Sequence, residues 1–163
     1  MGGTSRLSLT IGDLLLRSRL TLAVAESCTG GLLAACITDI PGSSVYFEGG
    51  VITYSNSAKQ RLLDLPPAVL RLHGAVSEHT ARLMAAGVRT LLNADVSLAV
   101  TGIAGPSGGT PQKPVGMVFV ALAAHDVNLC REYLWAGDRR RNRECSVRAA
   151  LEMLKDYILH HVD

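Results

Sequence analysis

The sequence predicts a layered α/β fold, and three observations carry that prediction. Apolar runs of strand length, "LTLAVA", "DVSLAV" and "VGMVFVALAA", alternate with segments whose apolar residues recur at helical spacing. A chain of 163 residues is long enough for one sizeable core and leaves little room for a second. Its 48% hydrophobic residues describe an interior-rich chain. Its charged share of 18% lies below the usual figure of about 25% and suggests surface hidden in a homo-oligomer, most simply a homodimer.

Taken in order, residues 8–19 read as a helix, with Thr10 and Asp13 at capping-box spacing and Ile11, Leu14 and Leu15 on one face. "LTLAVA" follows as a buried strand, and "GLLAACITDI" as a helix stopped by Pro41 and Gly42. "VYFEGGVITY" forms one or two strands, with Gly49 and Gly50 as a bulge or turn, and "SNSAKQRLLDL" a helix that ends before Pro66 and Pro67. Ser77 caps the next helix, whose stripe of Ala81, Met84, Val88 and Leu91 faces a core. "DVSLAV" is another buried strand, and "VGMVFVALAA" with "LCREYLWA" a hairpin around His125 and Asp126. From Asp138 onward an amphipathic helix turns Val147, Leu151, Leu154 and Ile158 inward.

Several function classes lose ground at once. A net charge of +2, with aromatics not interleaved among basic runs, argues against nucleic acid. Cys28, Cys36, Cys130 and Cys145 show neither a C-x-x-C pair nor ligand spacing with histidine, so no metal site or disulfide framework is expected, and a reducing cytoplasm fits. Asp13, Arg17 and Arg19 interrupt the first apolar stretch, so neither a signal-peptide core nor a membrane span is expected. Arg6 spoils a myristoylation pattern.

Three turns carry chemistry-bearing residues. "LAVAESCTGG" sets Glu26, Ser27, Cys28, Thr29, Gly30 and Gly31 between a strand and a helix, where hydroxyls serve equally well as caps. "LAVTGIAGPSGG" begins with a similar word and leads into a glycine-rich loop over residues 101–116 that includes Gly102 and Gly105. That loop lacks both P-loop and dinucleotide fingerprints, leaving an anion cradle and a plain flexible loop both open. Were the two strands parallel neighbours, their carboxyl ends would present both turns to one pocket.

In "VITYSNSAK", Ser55 or Asn56 as a cap places Lys59 near the first helical turn, where the macrodipole disfavours a cation. Helix grammar favours a solvated lysine; the alternative is a lysine held neutral as a general base. The five histidines fall outside these turns, so the partners to test with a serine nucleophile are Lys59 and Tyr54. Arg139, Arg140, Arg141, Arg143 and Arg148 cluster at the start of the last helix, either as a solvated face or around an anion.

Read together, "AESCTGG", "PGSSVYFEGGVITYSNSAK", "HGAVSEHTA", "VTGIAGPSGG", "KPVGMVFVALA" and "GDRRRNR" resemble, in order and over almost the whole chain, the CinA carboxy-terminal domain family of nicotinamide-nucleotide amidohydrolases. The resemblance implies one domain over residues 1–163, a three-layer α/β/α sandwich with a central mixed sheet, as a stand-alone amidohydrolase. It also implies deamidation of nicotinamide mononucleotide to nicotinate mononucleotide and ammonia, with no cofactor. Carried onto this sequence, Ser27 is the nucleophile and Lys59 its base, with the turn of residues 28–31 as oxyanion hole. Tyr54 and Thr101 position one or the other, Glu26 orients a lysine or the ribose, and Arg143 or Arg140 meets the phosphate. The family pattern often carries acidic residues where this chain has Arg140, Arg141 and Asn142, which makes the entrance more basic. An inactive nucleotide-binding adaptor of the same fold is the alternative.

Overall fold

The structure, a computed structural model, describes residues 2–161. Five strands, β1 (Leu22–Glu26), β2 (Phe47–Ile52), β3 (Val96–Gly102), β4 (Met117–Ala123) and β5 (Asn128–Leu134), form one mixed sheet in the order β2-β1-β3-β4-β5. The first three run parallel, and β4 and β5 are the antiparallel hairpin that the sequence predicts.

Alternation along the strands sorts the two faces by size. Leu22, Val24, Leu98, Val100, Val118, Val120 and Leu122 point to one side and pack beneath α1 (Gly2–Ser18), α2 (Leu32–Thr38) and α6 (Arg139–His161). Ala23, Ala25, Ala99, Ala121 and Ala123 point to the other, toward α3 (Asn56–Leu63), α4 (Pro67–His73) and α5 (Glu78–Leu91). The alanine face lets α5 lie close to the sheet, and Ser97 Oγ donates to the Ala85 carbonyl at 2.7 Å across that layer. The arrangement is therefore a three-layer α/β/α sandwich.

Most predicted elements stand, with four corrections. The first helix begins at Gly2, and Thr10 is no cap: its hydroxyl donates back to the Arg6 carbonyl at 3.0 Å. Pro66 and Pro67 do not merely end a helix; Pro67 occupies the first turn of α4, where its missing N–H costs nothing. "VYFEGGVITY" contains one strand, in which Glu48 bulges between the pairs Leu22 with Phe47 and Ala23 with Gly49. Leu91 is half exposed, and Ala85 completes the buried stripe of α5 in its place. The inward set of α6, Val147, Leu151, Leu154 and Ile158, is buried as expected.

Glycine is required where β2 meets β1, since a Cβ on Gly50 would lie 2.6 Å from Val24 Cγ2. The two similar words do form neighbouring parallel strands, with Ala25 beside Ala99 and Glu26 beside Val100. Their carboxyl ends consequently open onto the same edge of the sheet, flanked by the end of β2.

Candidate active site

Ser27 immediately follows β1, and its N–H donates to the Val100 carbonyl at 2.9 Å, which fixes the serine backbone to β3. Thr53 is fixed to the other side of β1, its N–H on the Glu26 carbonyl at 2.8 Å. Ser55 then caps α3, its Oγ accepting from Ala58 N–H at 3.0 Å, so Lys59 lies one turn inside the helix.

Lys59 is fully buried, which overturns the solvated reading that helix grammar favours. Its Nζ lies 3.0 Å from Ser27 Oγ and donates to the Thr53 carbonyl at 2.6 Å. Burial away from water lowers its pKa from 10.5 to about 8, against a smaller opposing influence from Cys28. The same burial pushes the Cys28 thiol up to about 11, leaving it almost entirely protonated at neutral pH. The serine has a tuned partner and the cysteine does not.

Glu26 is buried and serves the backbone of the turn. Its carboxylate accepts N–H bonds from Gly31 at 3.0 Å, Leu33 at 3.0 Å and Ala34 at 2.8 Å, closing the first turn of α2 from the strand side. Three of its acceptor positions are therefore committed to backbone. Gly30 N–H is taken by the Ser27 carbonyl at 3.2 Å. In the turn of residues 28–31, the N–H groups of Cys28 and Thr29 thus donate to no other residue among those described. Gly30 and Gly31 supply the left-handed backbone of that turn, at φ 58° and 95°.

Replacing Glu26 by Ala should orphan three N–H groups beneath the sheet edge and cost about 3 kcal/mol or more. Glu26→Gln, which keeps one acceptor oxygen, should recover part of that loss. Urea midpoints of the two variants provide the check.

The remaining predicted residues divide. Thr101 is buried, but its hydroxyl donates to the Ala75 carbonyl at 2.7 Å and pins the segment before α5 instead of touching Ser27 or Lys59. Tyr54 is 61% exposed, and its hydroxyl accepts from Arg139 Nη2 at 3.0 Å, with no bond to either residue. Gly102 packs against β4, where a Cβ would come within 2.7 Å of the Met117 carbonyl oxygen. Arg143 Nη2 donates to the Thr29 carbonyl at 2.6 Å, tying α6 to the Ser27 turn, while its Nε and the Thr29 and Thr53 hydroxyls are buried without partners. Arg140 points into solvent and pairs with Glu144 at 2.9 Å.

Three participants escape the sequence reading. Thr53 acts through its backbone carbonyl, which no residue type advertises. Asn142 is buried, donating to the Ala104 carbonyl at 3.1 Å and accepting from Gly137 N–H at 3.0 Å, so it fastens the glycine-rich loop. Arg139 donates to the Gly105 carbonyl at 2.8 Å as well as to Tyr54; only its place in the arginine run hinted at it. The histidines stay apart from Ser27 and Lys59, His73 and His79 stacking on one another at 3.8 Å.

Comparison with known proteins places this geometry. A family model described as the CinA C-terminal domain matches residues 4–158. A CinA-like protein of Syntrophus aciditrophicus is 58% identical over 149 residues, spanning 91% of this chain and 36% of that protein. A CinA-like protein of Citrifermentans bemidjiense is 52% identical over 148 residues, spanning 90% and 35%. The chain spans about a third of the length of these curated relatives. Among solved structures, a CinA superfamily protein from Klebsiella pneumoniae superposes with a TM-score of 0.94 at 32% identity, covering 97% of this chain and 99% of that one. A competence/damage inducible protein of Agrobacterium tumefaciens gives 0.92 at 41% identity, with 94% of each chain covered.

Proposed function

The chain belongs to the CinA C-terminal domain family, and from that premise we propose that it is an amidohydrolase that converts nicotinamide mononucleotide to nicotinate mononucleotide and ammonia. The observation that carries the reading is the contact of a buried lysine of lowered pKa with the oxygen of a serine at the end of a central strand.

In this reading the neutral Lys59 amine spends one N–H on the Thr53 carbonyl, which turns its lone pair toward Ser27. Ser27 Oγ attacks the carboxamide carbon as its proton passes to Nζ. The carbonyl oxygen takes up negative charge against the free N–H groups of Cys28 and Thr29. Collapse breaks the C–N bond; Lys59 returns the proton to the leaving nitrogen, which departs as ammonia and leaves an ester on Ser27. A water molecule, deprotonated by the same amine, then cleaves the ester to carboxylate and restores the serine hydroxyl.

No step needs Tyr54 or Thr101 to touch the reacting atoms. Thr101 holds the Ala75 segment beside the strand end, and Tyr54 stands at the mouth. Arg143, fixed to the Thr29 carbonyl, keeps the oxyanion turn in place.

Purified protein should release ammonia from nicotinamide mononucleotide in stoichiometric yield with nicotinate mononucleotide. Binding of the nucleotide without ammonia would instead identify a non-hydrolysing binding module.

A further inference from the structure

Arg139 occupies a position that the mechanism above does not use. In the sheet β1 lies between β2 and β3. The Arg139 guanidinium holds Tyr54, just beyond β2, with one nitrogen and Gly105, just beyond β3, with another. The guanidinium thus ties together the segments that follow the two strands flanking β1. That strand is the one that leads into Ser27. Arg139 therefore joins the segments on either side of that strand.

The other arginines of the cluster are engaged differently. Arg140 and Arg141 face Glu144, Arg148 faces Glu152, and Arg143 is tied to the Thr29 carbonyl. Arg139 makes no ion pair among the described residues, and both of its partners are neutral oxygens. A phosphate offers the guanidinium a full counter-charge and bidentate acceptor geometry that neither neutral oxygen supplies, so it can displace both. The side chain also has room to move, because it lines a cavity of about 440 Å³ with Ala104, Pro106, Val115, Gly137 and Arg140. Asp138, which shares that cavity, is engaged in capping α6 through Arg141 N–H at 2.7 Å.

We propose that Arg139 is the anion receptor of this site and its latch: a phosphate monoester on the ligand takes the guanidinium from Tyr54 and Gly105, so that recognising the phosphate and opening the mouth are one event. The proposal deepens the amidohydrolase reading and rests on it for the identity of the ligand. It assigns the phosphate role to Arg139 in place of Arg143, whose Nη2 holds the backbone of the turn, and of Arg140, which pairs with a surface carboxylate.

A latch and a simple structural arginine differ in how they treat an unphosphorylated ligand. Arg139→Ala should lower kcat/KM for nicotinamide mononucleotide by roughly ten- to hundredfold, while kcat/KM for nicotinamide riboside holds or rises because the latch is gone. Arg139→Lys should not restore the nucleotide, since an ammonium cannot present two coplanar donors. Calorimetric titration with nicotinate mononucleotide, run beside the riboside, reads the same contrast without turnover. Equal losses for phosphorylated and unphosphorylated ligands would overturn the latch. So would nucleotide affinity that is unchanged in Arg139→Ala, lost only in Arg143→Ala, or absent from the unmodified protein. Arg139-dependent binding without ammonia release would leave the latch standing and refute the amidase reading alone.

Discussion

Ser27→Ala should abolish ammonia release, by at least about a thousandfold, in a protein that remains folded. The hydroxyl is the group that Lys59 Nζ contacts at 3.0 Å, and alanine leaves that amine facing no nucleophile. The backbone loses nothing, because the Ser27 N–H still reaches the Val100 carbonyl and the Glu26 carboxylate still closes α2. Stability should accordingly shift by no more than about 1 kcal/mol. Cys28→Ala is the control: its thiol is buried with a pKa of about 11, and its N–H, the part proposed to face the oxyanion, survives the substitution. Cys28→Ala should retain turnover within about threefold. A trapped substrate-derived ester should appear by mass spectrometry on the peptide containing Ser27 and vanish in Ser27→Ala. Full loss in Cys28→Ala with activity kept in Ser27→Ala would reverse the assignment of nucleophile.

Much of the scaffold for this pair is legible in the sequence, because local grammar decides it. Two strands ending in glycine-bearing turns carry similar words, and they lie side by side in parallel, the condition under which both turns open onto one pocket. Ser55 caps α3 and so sets the height of Lys59 along the helix. The direction in which Lys59 points was a separate matter. Whether that side chain meets water or the Ser27 turn depends on where β1 and β2 pass, and helix grammar has no knowledge of either.

The same boundary separates the other outcomes. Glu26 accepts from residues five, seven and eight positions ahead, across a chain reversal that no capping box describes. Thr53 contributes a carbonyl, an atom common to every residue. Asn142 and Arg139 sit in a run that reads as uniform basic surface, yet one is buried and the other spans two loops. What the sequence conceals are bonds that depend on how the chain folds back on itself. They are near in sequence for Glu26 and Thr53 and far for Arg139 and for Lys59 with Ser27, and the reactive pair depends on several of them.

Lys59 brings these strands together in a titration. With a pKa of about 8, roughly one molecule in a hundred carries the neutral amine at pH 6, about one in ten at pH 7 and nine in ten at pH 9. A base acts in its neutral form, so kcat/KM should climb through an ionisation near 8 and level off above it. Lys59→Arg, which keeps the charge and cannot deprotonate, should be nearly inactive at every pH in that range. Stability carries the same signature with a definite sign. The pKa falls from 10.5 in the open chain to about 8 in the fold, so between those values the unfolded chain binds more protons. Stability must therefore rise with pH across that window, by about 3 kcal/mol at 1.36 kcal/mol per unit, and the cost is fully present below pH 8. Lys59→Met removes the ionisation but leaves the Thr53 carbonyl unpaired, so its stability at pH 7 should change little. Its rise between pH 8 and 10.5 should disappear. Urea unfolding of the two proteins at pH 7, 9 and 10.5 tests this independently of any substrate. Parallel pH profiles would show that the buried amine is charged throughout, and the lysine-base mechanism would fall with it.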